Sequence, residues 1–121
     1  MFDFAVGQSA AITRCFSRED VQGFAALLGT LQNAMEVPHG LVGGLFSTLL
    51  GTQLPGRGTN WMKQSLCFYT RARVGETLTA TVEITRLRPE KQLVNLRCRC
   101  HATDGKLVCE GDALVMAREM L

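Results

Sequence analysis

A glutamate, a histidine and a glycine sit within five residues of one another, in Glu36-Val37-Pro38-His39-Gly40. Histidine has its ordinary pKa nearest neutrality, so His39 suits a general base or a group that orients one. Glu36 could itself act as the base, making an improvised pair with His39. Each also has a plainer reading, and for both it is the commoner case. A histidine at a helix start often hydrogen-bonds across it, and a loop glutamate is often only solvated. Gly40 offers chemistry through its backbone. Apolar residues recur directly after it, and a helix beginning there leaves the Gly40 N–H without an intrahelical acceptor, at the positive end of the helix dipole. Such a donor stabilises negative charge developing on a carbonyl oxygen and needs no side chain.

Other groups invite weaker readings. Arg97, Arg99 and His101 share one face of a strand, with Arg86, Arg88 and Lys91 near the turn before it. Phosphate recognition by charge-assisted contacts is one reading, and a solvated sheet face is the commoner one. Nucleic acid is disfavoured, because no aromatic residues are interleaved with the basic ones and the net charge is only +2. Cys15, Cys67, Cys98, Cys100 and Cys109 are odd in number, contain no C-x-x-C, and have no metal-ligand spacing. Half-buried free thiols in a reducing cytoplasm, and no metal, are expected. The N-terminal Met1-Phe2-Asp3-Phe4 has no signal-peptide character. No apolar run reaches membrane-span length, since 41–54 is broken by Gly43, Gly44 and Gly51.

The elements that must position these residues follow from periodicity. With 121 residues, 46% of them hydrophobic, the chain fits a single domain, 1–121. Residues 9–15 alternate as a first strand. Ser17 caps a short helix with Glu19 and Asp20 in its first turn, and Gly29 stops it. Residues 30–38 read as a connection. Leu41, Leu45, Phe46, Leu49 and Leu50 recur at helical spacing in a segment apolar on most sides, which is a buried helix over about 39–54. Arg57 lies in the turn that ends it and is a substrate-binding candidate. Strands follow at 62–69, from Thr77, from Val94 and over 107–117. Val74-Gly75-Glu76 turns the first of these into the next, and Asp104-Gly105 makes a tight hairpin. Trp61 and Tyr69, bracketing a strand, are expected in the core or an interface. The fold class is α+β, an antiparallel sheet wrapped around a central buried helix.

The ordered segments Val6-Gly7-Gln8, Phe16-Ser17-Arg18-Glu19-Asp20-Val21, Phe24-Ala25-Ala26-Leu27-Leu28-Gly29, Pro38-His39-Gly40, Leu45-Phe46-Ser47-Thr48-Leu49-Leu50-Gly51 and Leu54-Pro55-Gly56-Arg57-Gly58 resemble the MaoC-like, R-specific enoyl-CoA hydratases. Gln64-Ser65-Leu66 with Phe68, and Val74-Gly75-Glu76, continue the resemblance over nearly the whole chain. It implies a hot-dog fold and a homodimer or higher homo-oligomer. It also implies binding of acyl-CoA or acyl carrier protein, with coenzyme A or phosphopantetheine present only as part of the substrate and no separate cofactor. In that family a D-x-N-P-x-H motif after the first helix activates water for addition to a trans-2-enoyl thioester.

Here Thr30 and Met35 stand at the Asp and His positions, Gln32 and Asn33 stand where Asn and Pro belong, and the stretch that follows is almost absent. Neither Thr nor Met acts as a base near neutral pH. Three functions are therefore open. One is a hydratase-lineage enzyme with a rebuilt or weakened site, and another is a non-catalytic acyl-thioester module or partner subunit. The third is a thioesterase using Glu36 or a hydroxyl-bound water. Asn33 with His39-Gly40 resembles the N…H-G-G pattern of hot-dog thioesterases, but the acid those proteins carry on the buried helix has no counterpart in 41–54.

Overall fold

Alternating apolar and polar residues build five strands in the computed structural model, which describes residues 4–28 and 36–117. They are β1 (Ser9–Cys15), β2 (Thr59–Phe68), β3 (Thr77–Arg88), β4 (Leu93–Ala102) and β5 (Leu107–Ala117). Leu78, Ala80, Val82 and Ile84 on β3 face the same way as Val94, Leu96, Cys98 and Cys100 on β4, and all eight are buried. The intervening residues point to the other face, as a two-residue period requires. All pairings are antiparallel, in the single order β1-β3-β4-β5-β2.

Two helices precede β2: α1 (Arg18–Leu28) and α2 (His39–Thr52). Ser17 caps α1 reciprocally. The Asp20 N–H donates to Ser17 Oγ at 3.1 Å, and the Ser17 N–H donates to Asp20 Oδ2 at 2.9 Å. The Gly29 stop lies outside the described residues. Helix α2 contains Gly40, Gly43, Gly44 and Gly51, which together disfavour a helix by about 4 kcal/mol relative to alanine. Burial of Val42, Leu45, Phe46, Leu49 and Leu50 offsets this by about 7–15 kcal/mol. Tertiary burial therefore makes α2 a helix. It packs on β3, β1 and β2, elements at the middle and both edges of the sheet, so the sheet curves around it.

Strand β2 corrects one expectation. A turn at Val74-Gly75-Glu76 exists, with Gly75 at φ +89°, but it does not pair β2 with β3. Strand β2 pairs with β5 at the opposite side of the sheet. The displacement is three strand spacings, about 14 Å, which the connection 69–76 spans easily at about 3.4 Å per residue. That crossover runs past the start of α2, where the Val37 N–H donates to the Ala72 carbonyl at 2.8 Å. Being an edge, β2 also leaves Trp61 and Tyr69 at the surface, 44% and 55% exposed, and not in the core. The five thiols are free but not uniformly half-buried: Cys98, Cys100 and Cys109 are buried while Cys15 and Cys67 are exposed. No helix among the described residues is long and apolar enough to cross a membrane.

Candidate functional site

The start of α2 is the chemically distinctive point of the fold. Pro38 occupies the N-cap and supplies no side-chain cap; its carbonyl accepts from the Leu41 N–H at 3.1 Å and the Val42 N–H at 3.3 Å. Among the described residues no acceptor takes the Gly40 N–H, so it points outward as an unpaired donor at the positive end of α2. A larger residue there would have to displace the Phe24 ring. A Cβ at position 40 would lie 2.6 Å from Cζ of Phe24, so the tip of that ring rests on the Gly40 backbone.

Around this donor lies a cleft of about 550 Å³, lined by Phe24, Glu36, Val37, Pro38, His39, Gly40 and Arg71. Glu36 and His39 thus share a cleft with Gly40, but each is committed to its own partner. Both Glu36 carboxylate oxygens accept from Nη1 of Arg71 at 3.0 Å. The backbones of Glu36 and Arg73 form an isolated β-bridge, which ties this segment to the crossover. The His39 ring lies flat on Phe68, with centroids 3.7 Å apart and planes 4° from parallel. Among the described residues no hydrogen bond reaches the His39 ring, so the expected bond across the helix start is replaced by stacking. The Arg71–Glu36 pair is 77% and 31% exposed, so it is worth about 1 kcal/mol at most. Its effect is to occupy the carboxylate that would have to act as a base.

Arg57 is not part of this cleft. It follows the C-terminal end of α2, and fourteen helical residues place it roughly 20 Å from Gly40. Thr30, Gln32, Asn33 and Met35 lie outside the described residues. The basic strand face belongs to a different network. Arg97 pairs with Glu110 at 3.1 Å and with Asp112 at 3.4 Å, and Arg99 reaches Glu110 at 3.3 Å. Partial burial would raise the Glu110 pKa, but Arg99 and Arg97 together hold it below its ordinary value. With their charges met by carboxylates on the sheet face turned away from α2, these arginines act as cross-strand partners and not as a phosphate site. Among the described residues no three His, Cys, Asp or Glu side chains converge as a metal would need.

Sequence reasoning missed Phe24, Phe68 and Arg71. Phe24 read as one more apolar residue of α1. Phe68 and Arg71 lie 29 and 35 positions from their partners, and no local pattern marks them.

No family model matches the chain. It is 38% identical to an (R)-specific enoyl-CoA hydratase of Rhodospirillum rubrum, over 94% of this chain and 88% of that protein. It is 39% identical to the (R)-specific enoyl-CoA hydratase of Aeromonas caviae, over 91% and 92%. The solved structure of an (R)-hydratase from A. caviae involved in PHA biosynthesis superposes with a TM-score of 0.88 at 34% identity, covering 93% of this chain and 96% of that one. A sheet curved around one buried helix, relatives of this identity over nearly the full chain, and a close structural match lead to one assignment: the chain belongs to the (R)-specific enoyl-CoA hydratase family of hot-dog proteins.

Proposed function

We propose that the chain binds acyl thioesters, of coenzyme A or of acyl carrier protein, at the Gly40 cleft, and that it hydrates trans-2-enoyl thioesters slowly or not at all. The observation that carries this reading is the unpaired Gly40 N–H beside two side chains that do not pair with each other, Glu36 bound to Arg71 and His39 stacked on Phe68. A backbone donor at a helix start cradles a carbonyl oxygen without any base. General acid–base catalysis contributes about a hundredfold to ten-thousandfold, and the two bases of the cleft do not form the pair that would supply it: Glu36 is bound to Arg71, and His39 has no hydrogen-bonded partner among the described residues to orient its ring. The missing D-x-N-P-x-H motif supports the same conclusion. We read the assembly as a homodimer built on the open edges of β1 and β2, which sedimentation at micromolar concentration tests.

The deciding experiment compares the wild type with Glu36→Gln and His39→Ala. Equilibrium binding of butyryl-CoA, hydration of crotonyl-CoA and hydrolysis of saturated acyl-CoAs are measured on each. Binding with little turnover, and residual turnover that falls in either variant, is expected. Wild-type hydration at the rate of a competent enzyme, matched by both variants, refutes the reading. Rapid release of free coenzyme A would establish the thioesterase instead.

A further inference from the structure

Three of the five thiols are buried on the core face of the sheet, Cys98 and Cys100 on β4 and Cys109 on β5, and none of them lines the Gly40 cleft. Cys100 stands directly opposite Cys109 in the β4–β5 ladder, whereas Cys98 faces Gly111, which has no side chain. Residues opposite one another in an antiparallel pair have Cα atoms about 4.5–5.5 Å apart, inside the range of about 4.4–6.8 Å that a disulfide spans. Their Cβ atoms, also about 4.5–5.5 Å apart, must close by roughly 1 Å to reach the usual separation of a bridged pair. The ladder can give at this point: the register shifts directly after Cys100, and Val108 has no register partner on β4. The same geometry disfavours the other pairings. Cys98 and Cys100 lie about 6.5–7 Å apart along one strand with parallel Cα–Cβ bonds, and Cys98 to Cys109 is a diagonal of about 7–8 Å. A hydrogen bond between Cys109 and Cys100 holds the Cys100 thiol below its ordinary value, against the burial that would raise it, and holds Cys109 above. Cys100 is therefore the sulfur that becomes the nucleophilic thiolate first.

We propose that Cys100 and Cys109 form an oxidisable dithiol, a modification site for hydrogen peroxide, which closes to a cross-strand disulfide within the folded chain. The Cys100 thiolate attacks one peroxide oxygen, the O–O bond breaks, hydroxide leaves, and Cys100 becomes the sulfenic acid. The Cys109 sulfur then attacks the Cys100 sulfur. The S–O bond breaks and the hydroxyl leaves as water, taking the Cys109 proton. Two thiols are oxidised to one disulfide, and one peroxide is reduced to two waters. Access comes through the β4–β5 hairpin. Its turn is closed by the Gly105 N–H donating to the Ala102 carbonyl and the Ala102 N–H donating to the Lys106 carbonyl, both at 2.9 Å. Only the pair His101↔Leu107 lies between that turn and Cys100↔Cys109, so local opening of the hairpin end reaches these thiols before the deeper core. The inference does not depend on what the Gly40 cleft binds.

The test uses the full chain carrying Cys15→Ser and Cys67→Ser, which removes both exposed thiols and prevents links between molecules. The folded protein is treated with hydrogen peroxide, freed of it, then unfolded and alkylated with N-ethylmaleimide. Mass spectrometry reads the number of labels, and peptide mapping reads their positions. Without peroxide all three remaining cysteines take the label. After peroxide the count should fall from three to one, with the label on Cys98 and a disulfide joining the peptides of Cys100 and Cys109. Dithiothreitol should restore all three. Adding Cys98→Ala should leave the link intact, and adding Cys109→Ala should abolish it. If Cys109→Ala does not fold, the peptide map of the parent decides alone. Three labels retained after peroxide, a link that includes Cys98, a sulfinic acid at Cys100 without a link, or a link that forms only in denaturant would each overturn the inference.

Discussion

Replacing Gly111 with alanine tests the placement of β2, and with it one wall of the site. A Cβ on Gly111 would overlap the Ser65 carbonyl oxygen and lie 2.8 Å from the Ser65 carbonyl carbon and 2.9 Å from the Leu66 Cα. All three obstructing atoms are backbone, so no rotamer change relieves the clash. Strand β2 must withdraw from β5, loosening the pairings Leu66↔Gly111 and Ser65↔Asp112. Overpacking alone costs about 1–3 kcal/mol, and each weakened ladder hydrogen bond adds about 1 kcal/mol. A loss of about 3–5 kcal/mol is a large part of the stability of a chain of 121 residues. At about 4 °C per kcal/mol, Tm should fall by about 12–20 °C. Urea and thermal unfolding followed by circular dichroism and by Trp61 emission provide the assay, since the single tryptophan lies on β2 itself. Gly23→Ala is the control. Its Cβ meets nothing within 4 Å in the middle of α1, so it should be neutral or stabilise by about 1 kcal/mol. A Gly111→Ala protein melting within about 2 °C of wild type refutes the β2–β5 pairing. The position of Phe68 under His39 would then fall too, because β2 carries it.

Phe46, fully buried on α2, should cost about 3–5 kcal/mol when replaced by alanine, and a loss under about 1 kcal/mol in chemical denaturation would contradict its central place. The lowered Glu110 pKa stabilises the fold above the ordinary glutamate range, and that contribution disappears as pH falls through it. The Tm gap between wild type and Glu110→Gln should therefore be present at pH 7 and close toward pH 3; a gap that does not change with pH contradicts the Arg99 and Arg97 pairing. Burial, aided by the Asp112 charge, raises the Cys98 thiol from 9.0 to about 11. The unfolded chain then releases this proton at lower pH than the folded one, so stability falls from about pH 9 to 11 by roughly 3 kcal/mol. Cys98→Ala should flatten that alkaline decline, and an unchanged slope in denaturant titrations at pH 8, 9, 10 and 11 counts against the burial.

The local elements were legible in the chain because each is written in a short period. Strand β1 over Ser9–Cys15, the Ser17 cap, the start of α2 at His39 and the alternation in β3 and β4 all follow from which residues recur every second or every third to fourth position. Those periods say which face is buried. Gly40 was legible for the same reason, since a helix start exposes its amides whatever the side chains. Partners distant in sequence were decided only by the tertiary structure. Strand β2 pairs with β5 and not with its neighbour β3, and the crossover 69–76 that this pairing requires runs past the helix start. That crossover delivers Arg71 to Glu36, and the β2 edge delivers Phe68 to His39, so two groups that looked available as a catalytic pair are each held by a residue about thirty positions away. The tip of Phe24 reaches Gly40 by the same kind of encounter, between two helices whose individual periods are silent about each other. Periodicity constrains each element against solvent, and only packing in three dimensions determines which element meets which.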